Sequence, residues 1–231
     1  MTSIEINAAI LEKDLSEIES KLNSSKGLVD VAQIDICDGT YVPSTTFMSE
    51  GSNTSTEQLA SITKETTLEL DMMIDWQSMD ASQLAHWITA LTKINPSRIV
   101  LHNTSITDVQ IEVLLNTLDP TKVEFGLGIH LDDSLDEVVA RFDMFPFTYV
   151  QIMGIEKVGY GGQNQSNKLI PYIQAFHALR PDVPISVDGG VKLENVQALK
   201  KAGATRMTIG SGLFKTEDIE KRAEDLRAEL V

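Results

Sequence analysis

Residues 185–214 read ISVDGGVKLENVQALKKAGATRMTIGSGLF. A short β-branched run ends in Asp188, a Gly-Gly pair turns the chain, and apolar residues at helical spacing occupy 193–202 before Gly203 stops them. A second short strand then ends at Gly210-Ser211. Strand, helix and strand joined by loops this short form a right-handed parallel crossover, which brings Asp188 and Gly210-Ser211 to one edge of one sheet. Glycines at that edge let backbone N–H groups approach an anion without interference from Cβ, and a helix start after Ser211 adds unpaired donors. Either glycine pair alone is accounted for by a tight turn. Two pairs at adjacent strand ends favour a phosphate site.

The same alternation extends through the rest of the chain. Strands are predicted at 4–9, 31–36, 67–74, 98–102, 123–129 and 149–153, and helices at 14–22, 56–63, 81–91, 107–118, 134–142, 167–179 and 216–230. Arg180-Pro181 ends the helix before the opening stretch. Eight strands alternating with about as many helices predict an α/β chain, a single (β/α)₈ TIM barrel over 1–231, with an open doubly wound sheet as the competing topology. In a barrel the loops after each strand carry function. The polar residues there are Asp35 and Asp38, Asp71, His102, His130, the 159–163 loop, Asp188 and Ser211.

Composition narrows the function classes. A 231-residue chain with 42 % hydrophobic residues buries a substantial single core. The lone Cys37 rules out an internal disulfide framework, and the start MTSIEINAAI has no basic leader or apolar signal core, so a cytoplasmic protein is expected. No apolar run approaches the roughly 20 residues that span a bilayer. A net charge of −15 disfavours nucleic acid and anionic membranes as partners. It also repels a phosphorylated metabolite at long range, so a phosphate site here must rely on local donors.

Three motifs carry a family resemblance. QIDICDGTYVP at 33–43 resembles the H-x-D-x-M-D-G-x-F-V-P element of ribulose-phosphate 3-epimerases; IMGIEKVGYGGQ at 152–163 resembles their I-M-x-V-x-P-G-F-G-G-Q loop; VDGGVKLEN and IGSGLF match V-D-G-G-V and G-S-x-I-F. No D-x-K-x-x-D run appears, which counts against the related decarboxylases and hexulose-phosphate synthases. The resemblance implies inversion at C3 of a ketopentose phosphate by two aspartates on opposite faces, through an enediolate held by a divalent metal. Those aspartates match Asp35 and Asp188. Inversion needs a base on one face and an acid on the other, which a pair of environment-tuned carboxyls supplies. The resemblance further implies phosphate contacts at Gly161, Gly162, Gly189, Gly190, Gly210 and Ser211, and a floor at Met73 and Met153, with Cys37 in place of a third methionine.

The chain departs from the family where the metal would sit. Gln33 and Asp71 stand at the two histidine positions, which leaves Asp35, Asp71 and Asp188 as an oxygen-only set. Imidazole suits Zn²⁺, whereas carboxylates alone suit Mg²⁺ or Mn²⁺. Ala9 replaces a first-strand serine, and the lid loop is one residue longer and lacks its proline. Lys157 in that loop is a candidate for missing positive charge, its alternative being a solvated lysine. His102 and His130 are candidates for a replacement ligand or base, or for hydrogen-bonded histidines under loops. His86 and His177, inside predicted helices, are expected at the surface. Three readings follow: an epimerase converting D-ribulose 5-phosphate to D-xylulose 5-phosphate, a sugar-phosphate-binding protein without turnover, and an epimerase or isomerase of another ketose phosphate. A small sugar phosphate is the expected partner, and a homo-oligomer is compatible with the sequence.

Overall fold

Every residue of strand β2, Val31–Cys37, is buried, because a strand in a closed parallel barrel is covered by helices outside and by packed side chains inside. In the computed structural model, which describes residues 4–231, eight such strands close one parallel barrel in sequence order. They are β1 (Glu5–Ile10), β2, β3 (Leu68–Met73), β4 (Arg98–His102), β5 (Glu124–Ile129), β6 (Tyr149–Met153), β7 (Ile185–Asp188) and β8 (Arg206–Ile209). Ala8 of β1 pairs with Ile209 of β8, which closes the ring and excludes the open doubly wound sheet.

Helices α1 (Leu15–Ser25), α2 (Asn53–Ile62), α3 (Ala81–Ile94), α4 (Asp108–Leu118), α5 (Leu135–Met144), α6 (Leu169–Leu179), α7 (Val196–Ala202), α8 (Ser211–Phe214) and α9 (Ile219–Leu230) surround it. Capping boxes start α3 and α4, with Asp80 and Gln83 in one and Thr107 and Gln110 in the other. Two helices begin later than the apolar spacing suggests. Residues 192–195 form a turn, tied by Lys192 N donating to Asn195 Oδ1 at 2.8 Å, so α7 starts at Val196. Asp218 accepts from Lys221 N and starts α9 at Ile219. The helix expected after Ser211 is the single turn α8, too short for the aligned dipole of a longer helix.

Outward-facing strand residues such as Ile34, Leu70 and Val187 join Ile18, Leu114 and Phe176 of the helices in one continuous apolar cluster. Full burial of each such side chain stabilises the fold by roughly 1.5–3 kcal/mol. The inward-facing residues are mostly polar. At the N-terminal end of the barrel, Arg98 donates to both carboxylate oxygens of Glu5, at 2.5 and 2.9 Å, and Arg206 reaches Glu124 at 3.4 Å. Next come Glu69 and Tyr149, whose hydroxyl donates to Glu69 Oε2 at 2.5 Å. A Cβ at Gly126 would stand 2.4 Å from the Tyr149 ring, so the ring occupies the space that this glycine leaves open.

His86 and His177 are less exposed than their helical positions suggest. Both are partly buried: His86 Nε2 meets the Gly51 carbonyl, and the His177 ring fills the space above Gly203.

Candidate active site

The C-terminal strand ends surround a cavity of about 300 Å³, at the small end of metabolite-sized pockets. Asp35 and Asp188 line it, with Ala9, Met73, Met153 and the glycines of three loops. Asp35 projects inward from β2, and Asp188 is the last residue of β7. Gln33, two residues before Asp35 and therefore on the same face of β2, joins them: its Nε2 donates to Asp35 Oδ1 at 2.9 Å and to Asp188 Oδ2 at 2.7 Å. Burial, then the charges of Asp188 and Asp71, hold the Asp35 carboxyl well above the usual carboxylate range. Burial and the neighbouring Asp71 charge push Asp188 up to about 7. Two carboxyls this close cannot both ionise freely, so the pair keeps a proton near neutral pH.

Asp71 is opposite Asp35 in the β2–β3 register and fully buried. It does not line the cavity. Both of its oxygens are taken: His102 Nε2 lies 2.7 Å from Oδ1, and Gln151 Nε2 donates to Oδ2 at 3.1 Å. His102 is therefore a partner of Asp71 and does not reach the cavity wall. Oxygens of Asp35, Asp71 and Asp188 lie within 4.8 Å of one another, close enough to hold one cation. Gln33 Oε1 is buried without a partner, and turning that amide over would aim it where Nε2 now lies between Asp35 and Asp188. Three carboxylates with an uncommitted amide oxygen fit a hard divalent ion such as Mg²⁺ or Mn²⁺. The set contains no imidazole ligand of the kind Zn²⁺ favours.

The same cavity is lined by Gly161, Gly162, Gly189, Gly190, Gly210 and Ser211. At Gly190, φ is 72° and a Cβ would meet the Gln165 backbone nitrogen at 2.5 Å, so the β6 and β7 loops pack directly on each other there. Asn195 Nδ2 ties the two loops together, donating to Gly190 O at 2.8 Å and Gln165 Oε1 at 2.7 Å. Gly161 and Gly210 differ from Gly190. Neither has a positive φ, and a Cβ at either would meet nothing closer than 3.9 and 3.5 Å. At Gly161 neither φ nor a neighbouring atom demands glycine, and both residues line the cavity.

The remaining candidates lie elsewhere. Asp38 braces loops: Oδ1 accepts from Thr40 N and Tyr41 N, and Oδ2 accepts from Asp75 N at 2.8 Å. His130 Nε2 is 2.8 Å from the Tyr41 hydroxyl; burial and the adjacent His102 push it down to about 4, which keeps the imidazole neutral. His130 and Lys157 line a separate outer cleft with Tyr41 and Glu156, away from Asp35 and Asp188. Cys37 is buried beside Met73 and Met153, and burial pushes its thiol up, so it acts as packing. Two lysines escaped the sequence reading, Lys21 and Lys215, both in the wall of the main cavity. They lie outside every motif, and nothing in their spacing distinguishes them from solvated lysines.

The chain matches the model of the "Ribulose-phosphate 3 epimerase family" over residues 5–214 and belongs to that family. It is 24% identical to ribulose-phosphate 3-epimerase of Aquifex aeolicus, covering 88% of this chain and 86% of that protein. It is also 24% identical to that of Bacillus subtilis, covering 97% and 98%. Among solved structures it is similar to 3-hexulose-6-phosphate synthase from Salmonella typhimurium, with TM-score 0.73, 14% identity and 98% of each chain covered. A variant tryptophan synthase alpha-subunit from Pyrococcus furiosus superposes with TM-score 0.68 at 13% identity, covering 99% of this chain and 98% of that one. At such identities the structural likenesses speak to the fold alone.

Proposed function

We propose that this member of the ribulose-phosphate 3-epimerase family interconverts D-ribulose 5-phosphate and D-xylulose 5-phosphate by proton transfer at C3. The observation that carries the reading is the pairing of Asp35 and Asp188 through one Gln33 amide, in a cavity that is also lined by a glycine cradle. With the phosphate in that cradle, the acyclic chain reaches toward the two carboxyls. The ionised carboxylate takes the C3 proton, the electron pair moves into the C2 carbonyl, and an enediolate forms. The other carboxyl returns a proton to the opposite face of C3, which inverts the centre and leaves the pair with its proton on the other member. Gln33 orients both groups, and the raised positions of both carboxyls supply an acid and a base together near neutral pH. Asp35, Asp71 and Asp188 would hold a divalent ion, which when bound supplies positive charge against the developing negative charge.

A second reading, a ketose-phosphate-binding protein without turnover, is favoured by the commitment of both Asp71 oxygens to His102 and Gln151. One experiment separates the two: NMR of D-ribulose 5-phosphate in D₂O with the purified protein, with chelator or with added Mg²⁺ or Mn²⁺. Deuterium entering at C3 with xylulose 5-phosphate appearing is expected. Asp35→Asn and Asp188→Asn should each abolish it, while inorganic phosphate still binds. Exchange that survives in either variant refutes the two-aspartate mechanism, and binding without exchange under every condition favours the second reading.

A further inference from the structure

We propose that Lys215 is a phosphate-binding side chain of this site, supplying the positive charge that a phosphate monoester dianion lacks in the remainder of this acidic chain. The inference rests on the glycine cradle being a phosphate site, as proposed above, but not on the catalytic step.

Three observations carry it. First, Lys215 follows Ser211 by four residues, and its backbone N donates to Ser211 O at 3.1 Å, so both side chains leave the same side of the α8 turn. Both line the cavity. Second, Lys215 Nζ lies 3.3 Å from where a Cβ at Gly162 would stand. The ammonium is therefore placed between the β6 and β8 loops, the two loops that carry Gly161–Gly162 and Gly210–Ser211. Third, among the described residues no carboxylate lies within 4 Å of this ammonium, and no protein acceptor takes its hydrogens. Two other lysines of the surrounding loops are committed, Lys21 to Glu12 and Lys192 to Asn164.

The contrast with Lys21 decides between the two cavity lysines. Lys21 sits 4.9 Å from the centre of the Phe214 ring and is neutralised by Glu12, itself in the cavity wall, so the Lys21–Glu12 pair presents no net charge to a ligand. Lys215 presents a full positive charge. A chain of net charge −15 repels a dianion at a distance, and backbone amides contribute only partial charges once it arrives. An ammonium with all three N–H donors free makes charge-assisted hydrogen bonds to phosphate oxygens at that point. Lys157, whose loop adjoins the cradle, cannot fill this role, because it lines the outer cleft beside Glu156.

The test is calorimetric titration of inorganic phosphate into the full chain at about 0.1 M ionic strength, for the wild type, Lys215→Met and Lys215→Arg. Lys215→Met is expected to weaken phosphate binding by about tenfold, and Lys215→Arg by no more than about threefold, since arginine keeps the charge. An unchanged melting temperature would confirm that the exposed substitution leaves the fold intact. In steady-state assays, KM for D-ribulose 5-phosphate should rise by the same factor in Lys215→Met with kcat unchanged. Should the wild type turn over no ketose phosphate while Lys215→Met still loses phosphate affinity, the catalytic reading fails and the role of Lys215 stands. Phosphate affinity in Lys215→Met within twofold of wild type overturns the inference, as does a wild type that binds no phosphate.

Discussion

Replacing Glu69 by glutamine should make the protein more stable at alkaline pH and leave it nearly unchanged in acid. Glu69 is fully buried inside the barrel, with Tyr149 donating to Oε2 and no partner for Oε1. Burial pushes its carboxyl up to about 7 from an ordinary 4.5, against the pull of the Tyr149 hydrogen bond and the Arg98 and Arg206 charges. The unfolded chain releases this proton near 4.5, whereas the folded chain keeps it until about 7. The folded state therefore binds more protons across that window, and stability falls as pH rises through it. The favourable contribution is complete below about 4.5 and lost above about 7. At about 1.4 kcal/mol per pH unit the whole effect is about 3 kcal/mol, of which roughly 2.5 kcal/mol falls between about pH 5 and pH 8. Glu69→Gln keeps an oxygen for the Tyr149 hydroxyl but cannot ionise. Urea unfolding of both proteins across that range should show their stability difference moving by about 2.5 kcal/mol in favour of the variant. Asp35 and Asp188 titrate in both proteins, so most of their contribution cancels. A difference that stays flat with pH would refute the assignment of a protonated Glu69.

Gly126→Ala places a methyl group 2.4 Å from a ring that Glu69 and the Arg206 guanidinium, 4.4 Å from the ring centre, hold in position. Overpacking there should cost about 1–3 kcal/mol by denaturant unfolding, and a loss below about 0.5 kcal/mol would count against a fixed ring. The oxygen-only ligand set should prefer Mn²⁺ over Zn²⁺ relative to a Gln33→His, Asp71→His double variant, as read by competition with a chromophoric chelator. An identical preference in the two proteins would show that positions 33 and 71 do not govern the metal.

The barrel was legible because its signal is periodic. Alternating strands and helices repeat through the chain, and the predicted β4 and β6 coincide with those observed. Helix starts were less legible, since side-chain hydrogen bonds from Asn195 and Asp218 set them independently of apolar spacing. At the site, the sequence motifs pointed to Asp35, Asp188 and the cradle glycines, which the fold brings to one cavity. The Gln33 bridge was hidden. Strand alternation puts residues 33 and 35 on one face, but only barrel closure brings Asp188, 155 residues away, to the same amide. Lys215 was hidden for a different reason: a lysine after a short turn is ordinary until the β6 loop is seen against its ammonium.

Aspartate at position 71 requires more of its surroundings than a histidine there would. A fully buried carboxylate is costly unless its oxygens find donors. Here the donors come from two other strands, His102 on β4 and Gln151 on β6. Ser186 in turn donates to Gln151 Oε1 at 3.5 Å and lies 3.2 Å from Thr208 Oγ1, so the arrangement continues across β7 and β8. Asp35 and Asp188 are satisfied separately, by the two hydrogens of Gln33. A cation entering among the three carboxylates must therefore displace donors already in place. Hydrogen bonds to charged groups contribute roughly 1.5–3 kcal/mol each, so displacing the Gln33 pair alone offsets several kcal/mol of the ion's attraction. What softens this competition is the amide itself, since the rotation that withdraws Nε2 presents the unpartnered Oε1. Gln33 thus leaves the two acids paired and hydrogen-bonded before any ion arrives, and the affinity of an ion among the three carboxylates would depend on which way one buried amide faces.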